Sequence, residues 1–170
     1  VGAKTNWAAP GVVAALTAAG RRVVGIDARG HGESDKPHDQ AFYGEDRMAR
    51  DLSELIDQLG VPEVDLVGYS MGAIVSLICA TRELRLRRLA ISGVGDGLLA
   101  QGGVDTRVVD NHDIVAALLT DDLSTIAPAA LGFRLLADAT GADRRALAAQ
   151  AAVVHASRIP LEEIKAPTLV

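Results

Sequence analysis

The sequence predicts an α/β fold with a mostly parallel sheet and helices on both of its faces. Short apolar runs of strand type alternate along the first part of the chain with segments of helical periodicity, and the connections between them are short. Such alternation is typical of parallel sheets, because their crossover connections are helical. A length of 170 residues, 49% of them hydrophobic, is sufficient for one globular domain with a buried core.

The first expected elements are a short helix, a strand and a longer helix. The short helix has Pro10 near its start and Gly20 at its end, the boundary positions that these residue types favour. A continuous apolar run at 22–26 predicts a buried strand. Between residues 45 and 59 the apolar positions fall on one helical face and Gly60 follows, so this segment is the clearest amphipathic helix of the sequence.

A strand–helix–strand unit is expected next. The apolar runs at 64–67 and 89–92 predict strands. The segment 73–80 between them is apolar on nearly every side, which indicates a buried helix.

Beyond this unit the sequence becomes rich in Ala and Leu. Helices are predicted at 110–119, 123–139 and 143–156, and the last strand starts near Pro167. We expect this insertion between two strands to form a helical cap. The predicted organisation within a single domain is a core segment at 1–95, a cap at 96–158 and the start of the next core strand at 159–170.

The composition excludes several classes of function. A net charge of −5 without a basic stripe argues against nucleic acid or an anionic membrane surface as a partner. The single Cys79 cannot form an intrachain disulfide. No stretch reaches the roughly 18 apolar residues that a membrane span needs. We therefore expect a cytoplasmic protein with a small-molecule partner.

The residues that point to chemistry lie at 68–72, where the apolar strand meets the apolar helix. The segment reads Gly-Tyr-Ser-Met-Gly, so Ser70 stands at the carboxyl end of a strand, where ligands bind in open parallel sheets. Gly68 and Gly72 are expected to permit a turn that is too tight for larger side chains, with Ser70 strained and its hydroxyl projecting. The amide of Met71 is expected to stabilise an oxyanion. The alternative is a structural turn with an idle serine.

Three motifs in the same order resemble the α/β-hydrolase superfamily. Residues 27–37, DARGHGESDKP, resemble its D-x-R-G-x-G-x-S-x-x-P loop, and the segment 68–72 resembles its nucleophile turn. Residues 164–170, IKAPTLV, resemble the strand that leads towards a catalytic acid. The resemblance implies an α/β-hydrolase fold, here incomplete, and a serine nucleophile where the epoxide hydrolases and dehalogenases of this fold have aspartate.

The glycine-rich loop also permits a second interpretation, as a dinucleotide-binding fingerprint. Gly30 and Gly32 follow a predicted strand, as such a fingerprint requires. Asp35 stands where the third glycine belongs, however, and Pro37 lies where a helix should begin. We interpret the two glycines as turn residues and do not assign His31 as a catalytic base.

A complete Ser-His-acid triad is not visible in the sequence. In the resembled family the acid and then the histidine follow the nucleophile, and none of the four histidines follows a late strand as expected. Asp96, after the strand at 89–92, is a candidate acid that some relatives use, and a turn-forming aspartate is the alternative. The backbone of Val1 is a candidate second oxyanion donor, because it would fall near the family's His-Gly pair.

The two ends of the sequence indicate a piece of a longer protein. The chain begins without Met and stops where a strand is starting. We expect the base and the usual acid beyond Val170, and the piece itself to be inactive.

The predicted function is that of a serine hydrolase, which would cleave a carboxylic ester, lactone or thioester through an acyl-enzyme. The low aromatic content of the predicted cap favours a small or medium apolar acyl substrate. No metal or organic cofactor is expected, since no Cys/His/Asp cluster has ligand spacing. The alternatives are a non-catalytic small-molecule-binding protein on the same scaffold, a carbon–carbon bond hydrolase, and a structural module.

Overall fold

The computed structural model describes residues 2–101, 105 and 107–170. The chain divides into two compact units: Val1–Ala41 with Val109–Ala152, and Phe42–Val108 with Val153–Val170. The boundaries predicted at residues 95 and 158 remain predictions.

In chain order the main elements are α1 (Val12–Ala18), α2 (Glu45–Leu59), β1 (Val64–Tyr69), α3 (Met71–Ala80), β2 (Leu86–Ser92), α4 (Gly97–Gln101), α5 (Asn111–Leu119), α6 (Pro128–Ala139), α7 (Arg144–Ala151) and β3 (Thr168–Leu169). Short helical turns occur at Lys4–Ala8, Gln40–Phe42, Leu123–Thr125 and Leu161–Glu163.

The second unit contains a three-stranded parallel sheet in the order β1-β2-β3. The helix α3 connects β1 to β2, which is the crossover that parallel neighbours require. β3 adds to the other edge of β2, where the carbonyl of Pro167 also accepts the Leu89 N–H at 3.0 Å. The α/β class with a parallel sheet and helices, predicted from the alternation of elements, is confirmed.

The core of this unit lies where α3 contacts α2 and the sheet. The helix α2 has the predicted bounds and ends at Gly60, whose φ of 61° is left-handed. The buried apolar residues come from one face of α2, most of α3 and the inner face of β2: Met48, Leu52, Ile56, Ile74, Val75, Leu77, Ile78, Leu89 and Ile91.

The first unit is helical, with a core formed by α5, α6 and α7. The carboxylates of Asp110 and Asp143 cap α5 and α7 by accepting first-turn amides at 2.7 and 3.0 Å. The helix predicted at 123–139 is divided, because Pro128 occupies the first position of α6 and a short turn precedes it. The helix predicted at 143–156 ends at Ala151.

The strand predicted at 22–26 is wrong. This segment has no regular secondary structure, and Val24 and Ile26 are 46% and 41% exposed. A strand exists only where a neighbour completes its hydrogen-bond ladder, and within the described residues no segment pairs with 22–26. The apolar run at 22–26 therefore indicates a preference for extended backbone but does not specify a partner strand.

Within the described part of the chain, no helix is long and apolar enough to cross a membrane.

Candidate active site

Ser70 lies in the turn between β1 and α3, at the carboxyl end of the strand. Its φ of 53° and ψ of −122° are rare for an L-residue, and among the described residues no other non-glycine has a positive φ. Such strain costs about 1–3 kcal/mol and persists only where the surroundings enforce it. The strained conformation predicted for this serine is confirmed.

Main-chain hydrogen bonds hold Ser70 on both sides. Its N–H donates to the carbonyl of Ser92, the last residue of β2, at 2.9 Å. Its own carbonyl accepts the Ala73 N–H at 2.8 Å, inside the first turn of α3. These two bonds anchor the turn to the neighbouring strand and to the helix without the Ser70 side chain.

The Ser70 side chain is exposed at the surface of this unit. A serine in the N-cap position usually accepts a hydrogen bond from a first-turn amide, but Ser70 makes no such bond to α3. The fold therefore does not use this hydroxyl as a helix cap.

β1 passes so close to α3 at Gly68 that a side chain cannot fit there. A Cβ on Gly68 would lie 2.6 Å from Ser76 Oγ and closer still to the Gly72 carbonyl oxygen. Apart from its chain neighbours and the backbone of its own helix, a Cβ on Gly72 would meet no described atom within 4 Å. The expected steric need for glycine is confirmed at Gly68 and wrong at Gly72. The carbonyl oxygen of Gly72 crowds position 68, whereas a side chain at position 72 would extend into open space.

Gly93, directly after β2, lies close to this turn, and its contact with the turn was not expected from the sequence. Its φ is 73°, and a Cβ there would lie 2.8 Å from Tyr69 Cε2 and 3.2 Å from the Ser70 nitrogen. A glycine that ends an apolar strand is the only sequence signal for it. That signal carries no information about which neighbouring turn it approaches.

Met71 is the first residue of α3, so its amide lies at the N-terminal end of this helix. The positive end of the helix dipole favours an anion at this position. The oxyanion role of Met71 remains a prediction. Val1, the other predicted donor, lies outside the described residues.

Asp96 follows β2 and precedes α4, and its side chain is 86% exposed. Its carboxylate lies 3.5 Å from the Arg107 guanidinium, and its carbonyl accepts the Leu99 and Ala100 amides at 3.0 and 3.1 Å. These contacts fit an aspartate that begins a helix. Within the described part of the chain no histidine is hydrogen-bonded to Asp96, and its role as the acid remains a prediction.

Two histidine–carboxylate pairs were missed from the sequence. His38 Nε2 lies 2.9 Å from Asp143 Oδ2 in the first unit, and His155 Nδ1 lies 3.1 Å from Asp46 Oδ2 in the second. The partners are 105 and 109 residues apart, so no local pattern could reveal them. No hydrogen bond connects Ser70 to a histidine among the described residues.

A buried carboxyl group of the second unit is that of Glu45, the first residue of α2. Its side chain is buried, and its Oε2 accepts the backbone N–H of His155 at 2.6 Å. Burial raises the pKa of Glu45 because it disfavours the charged form. This group ties the segment after Val153 to α2 and is not hydrogen-bonded to Ser70.

The loop 27–37 is organised by Asp27. Its carboxylate accepts the amides of Ala3 and Glu33, and these hydrogen bonds lower the pKa of Asp27. Gly30 and Gly32 have φ of 81° and 51°, so their interpretation as turn residues is confirmed.

His31, in the same loop, is held by a structural contact. Its Nδ1 lies 3.1 Å from the Arg29 carbonyl, and burial lowers the pKa of the imidazole. The lowered pKa favours the neutral ring, and the contact with the loop's own main chain agrees with leaving this histidine out of the predicted catalytic groups.

The comparison with known proteins agrees with this geometry. Residues 1–100 match the profile of the alpha/beta hydrolase fold family. The chain belongs to this family. A protein of Bacillus subtilis named as a 2-succinyl-6-hydroxy-2,4-cyclohexadiene-1-carboxylate synthase is 34% identical over 103 residues, which are 60% of this chain and 38% of that protein. The 2-hydroxy-6-oxo-2,4-heptadienoate hydrolase of Pseudomonas putida is 33% identical over 136 residues, 72% of this chain and 49% of that one.

Solved structures of alpha/beta hydrolases share the fold. A hydrolase from Pseudomonas aeruginosa superimposes with a TM-score of 0.64 at 28% identity, over 92% of this chain and 63% of that one. This alpha/beta hydrolase chain thus spans less than half the length of the two curated relatives named above. Two further relatives are named as an epoxide hydrolase of Siraitia grosvenorii and an sn-1-specific diacylglycerol lipase of Mus musculus.

Proposed function

We propose that the protein is a serine hydrolase that cleaves a carboxylic ester, lactone or thioester through an acyl-enzyme intermediate. The observation that carries the proposal is Ser70: an exposed hydroxyl on a strained residue that the main chain alone holds at the end of β1. Strain of this kind is a functional signal where no structural use of the side chain accounts for it.

In the proposed reaction Ser70 Oγ forms a bond to the substrate carbonyl carbon and gives its proton to a general base. The amide of Met71 and a second main-chain amide stabilise the resulting oxyanion. Collapse of this intermediate breaks the bond from the carbonyl carbon to the alcohol oxygen or thiol sulfur, which takes the proton from the base; the alcohol or thiol then leaves, except that in a lactone the new hydroxyl stays on the acyl chain. Water then attacks the acyl-enzyme and releases the acid. A histidine of the complete protein is the expected base, as in other serine hydrolases.

The proposed substrate carries a small or medium apolar acyl group. The composition of residues 96–158, which are rich in Ala, Leu and Val and poor in aromatic residues, supports this choice.

The test is covalent labelling of the full-length gene product with a fluorophosphonate, followed by mass spectrometry to locate the modified residue. We expect labelling at Ser70, and its loss in Ser70→Ala with an unchanged melting temperature, because the hydroxyl does not cap α3. Ser92→Ala is the matched control, since it removes a hydroxyl at the end of the adjacent strand. Labelling that persists in Ser70→Ala would remove Ser70 from the mechanism. A folded wild type without labelling would favour the ligand-binding protein.

A carbon–carbon bond hydrolase is the second candidate. The relative named 2-hydroxy-6-oxo-2,4-heptadienoate hydrolase favours it, because the substrate in that name contains no ester, lactone or thioester. Hydrolysis of a p-nitrophenyl ester but not of a 2-hydroxy-6-oxo-dienoate would support the first candidate, and the reverse result would support the second.

A further inference from the structure

We propose that Gly93 is a positioning residue for Ser70. The proposal rests on the function proposed for Ser70 and adds a residue of the neighbouring strand end to its support. Gly93 follows Ser92, whose carbonyl accepts the Ser70 N–H at 2.9 Å. The residue that accepts the hydrogen bond and the residue that makes room for the turn are therefore adjacent in the chain.

The space at Gly93 is limited by the turn itself. A Cβ on Gly93 would lie 2.8 Å from Cε2 and 3.1 Å from Cζ of Tyr69, and 3.2 Å from the Ser70 nitrogen. Two of these contacts involve the ring and the third involves the main chain of the nucleophile. Any side chain at position 93 must therefore displace Tyr69, Ser70 or the end of β2.

The backbone conformation adds a second requirement. The φ of 73° at Gly93 is left-handed, which glycine adopts without cost. This conformation turns the chain away after Ser92, while the Ser92 carbonyl remains directed at the Ser70 N–H. Loss of this geometry would release the hydrogen bond between the Ser70 N–H and the Ser92 carbonyl.

A side chain at position 93 is expected to slow the chemical step by displacing Ser70. A displaced Ser70 turn moves the hydroxyl relative to its base and its oxyanion donors, and misplacement of about 1 Å can lower a rate about 100-fold. Tyr69 and Ser70 are part of the surface of the unit, so their shift does not open the core. We therefore expect the chemical step to suffer more than reagent binding does.

The test compares four glycine variants of the full-length gene product. Gly93→Ala combines backbone strain with the Cβ contacts. Gly93→Asn keeps the Cβ and adopts a left-handed φ more readily, so it serves where the alanine variant does not fold. Gly60→Asn is the control for positive φ in open space, and Gly95→Ala is the control for the same loop without crowding.

Two readouts separate this inference from the proposed function. The fluorophosphonate reaction gives kinact and KI separately, and hydrogen exchange gives the protection of the Ser70 amide. We expect Gly93→Asn to lower kinact about 10- to 100-fold with KI within about threefold, and to accelerate Ser70 amide exchange. Both controls should match the wild type.

Unchanged kinact and unchanged Ser70 exchange in a folded Gly93→Asn protein would overturn the inference. If the wild type is not labelled, the proposed function fails while the exchange measurement still decides about Gly93. Faster Ser70 exchange in Gly93→Asn would then support its positioning role, and unchanged exchange would overturn it.

Discussion

The turn at Ser70 and the loop 27–37 both follow apolar runs and both contain a glycine with no room for a side chain, but different groups hold them. At Ser70 the main chain of β2 and α3 supplies the hydrogen bonds. In the loop one side chain, Asp27, accepts the amides of Ala3 and Glu33, and a Cβ on Gly32 would collide with the same carboxylate. Main-chain groups of the neighbouring elements therefore hold the turn at Ser70, whereas the Asp27 carboxylate holds the loop 27–37.

This difference separates a side chain that the fold uses, that of Asp27, from one that we propose to be catalytic, that of Ser70. The Asp27 carboxylate is used by the fold, so its removal should cost stability. The Ser70 hydroxyl is not used as a helix cap, so its removal should cost activity only. A reactive group held by main-chain contacts keeps its position without using its own hydrogen-bonding capacity, which stays available for a substrate and a base.

The largest expected effect on stability comes from a substitution at Gly68, where β1 passes close to α3. Gly68→Ala should lower the free energy of unfolding by about 3 kcal/mol, because its Cβ would overlap main-chain and side-chain atoms of α3. Chemical denaturation of the full-length protein measures this loss, and fluorophosphonate labelling of Ser70 should fall with it. A Gly68→Ala protein with wild-type stability would contradict the close approach of β1 and α3.

The next largest effect on stability is expected from a substitution of Asp27, whose carboxylate accepts the amides of Ala3 and Glu33. Asp27→Asn should lower the free energy of unfolding at neutral pH by about 1–2 kcal/mol, since an amide cannot accept both N–H groups as a carboxylate does. Asp35→Asn is the matched control, because Asp35 is exposed in the same loop and its carboxylate takes no part in these two hydrogen bonds. Equal stability of the two variants would show that the loop does not depend on Asp27.

The same pair of variants predicts a pH dependence. The amides of Ala3 and Glu33 lower the pKa of Asp27 below its ordinary value of 3.8. A lowered folded-state pKa means that the stabilisation is present above pH 3.8 and is lost as the pH falls through the folded-state pKa. The stability difference between wild type and Asp27→Asn should therefore shrink on acidification, whereas the Asp35→Asn difference should change less. A difference that grew on acidification would have the wrong sign.

The sequence predicted elements whose determinants are local. The helix α2 was found with its bounds because its apolar face, its length and Gly60 all lie within one segment. The junction at Ser70 was found because a strand pattern, a turn and a helix pattern follow one another directly. The strain at Ser70 followed from that junction, and the structure confirms it.

The errors concern partners that are distant in the chain. Residues 22–26 have the composition of a strand, but a ladder requires a second segment that composition does not specify. The crowding at Gly68 and the open space at Gly72 depend on how a strand crosses a helix. The approach of Gly93 to Ser70 depends on strand pairing. Each of these needs the packed structure.

The smallest effect on stability is expected at Gly72, where the sequence wrongly predicted a steric need for glycine. Gly72→Ala should raise the free energy of unfolding by about 0.5 kcal/mol, because alanine is the better helix former and a Cβ there meets no described atom within 4 Å outside its chain neighbours and its own helix backbone. Thermal denaturation and Ser70 labelling of Gly72→Ala beside Gly68→Ala measure this directly. A stable, normally labelled Gly72→Ala protein would show that the turn needs glycine where β1 crosses α3. A loss of several kcal/mol would instead place both glycines under the same steric limit, and the backbone of α3 would then be as confined as that of β1.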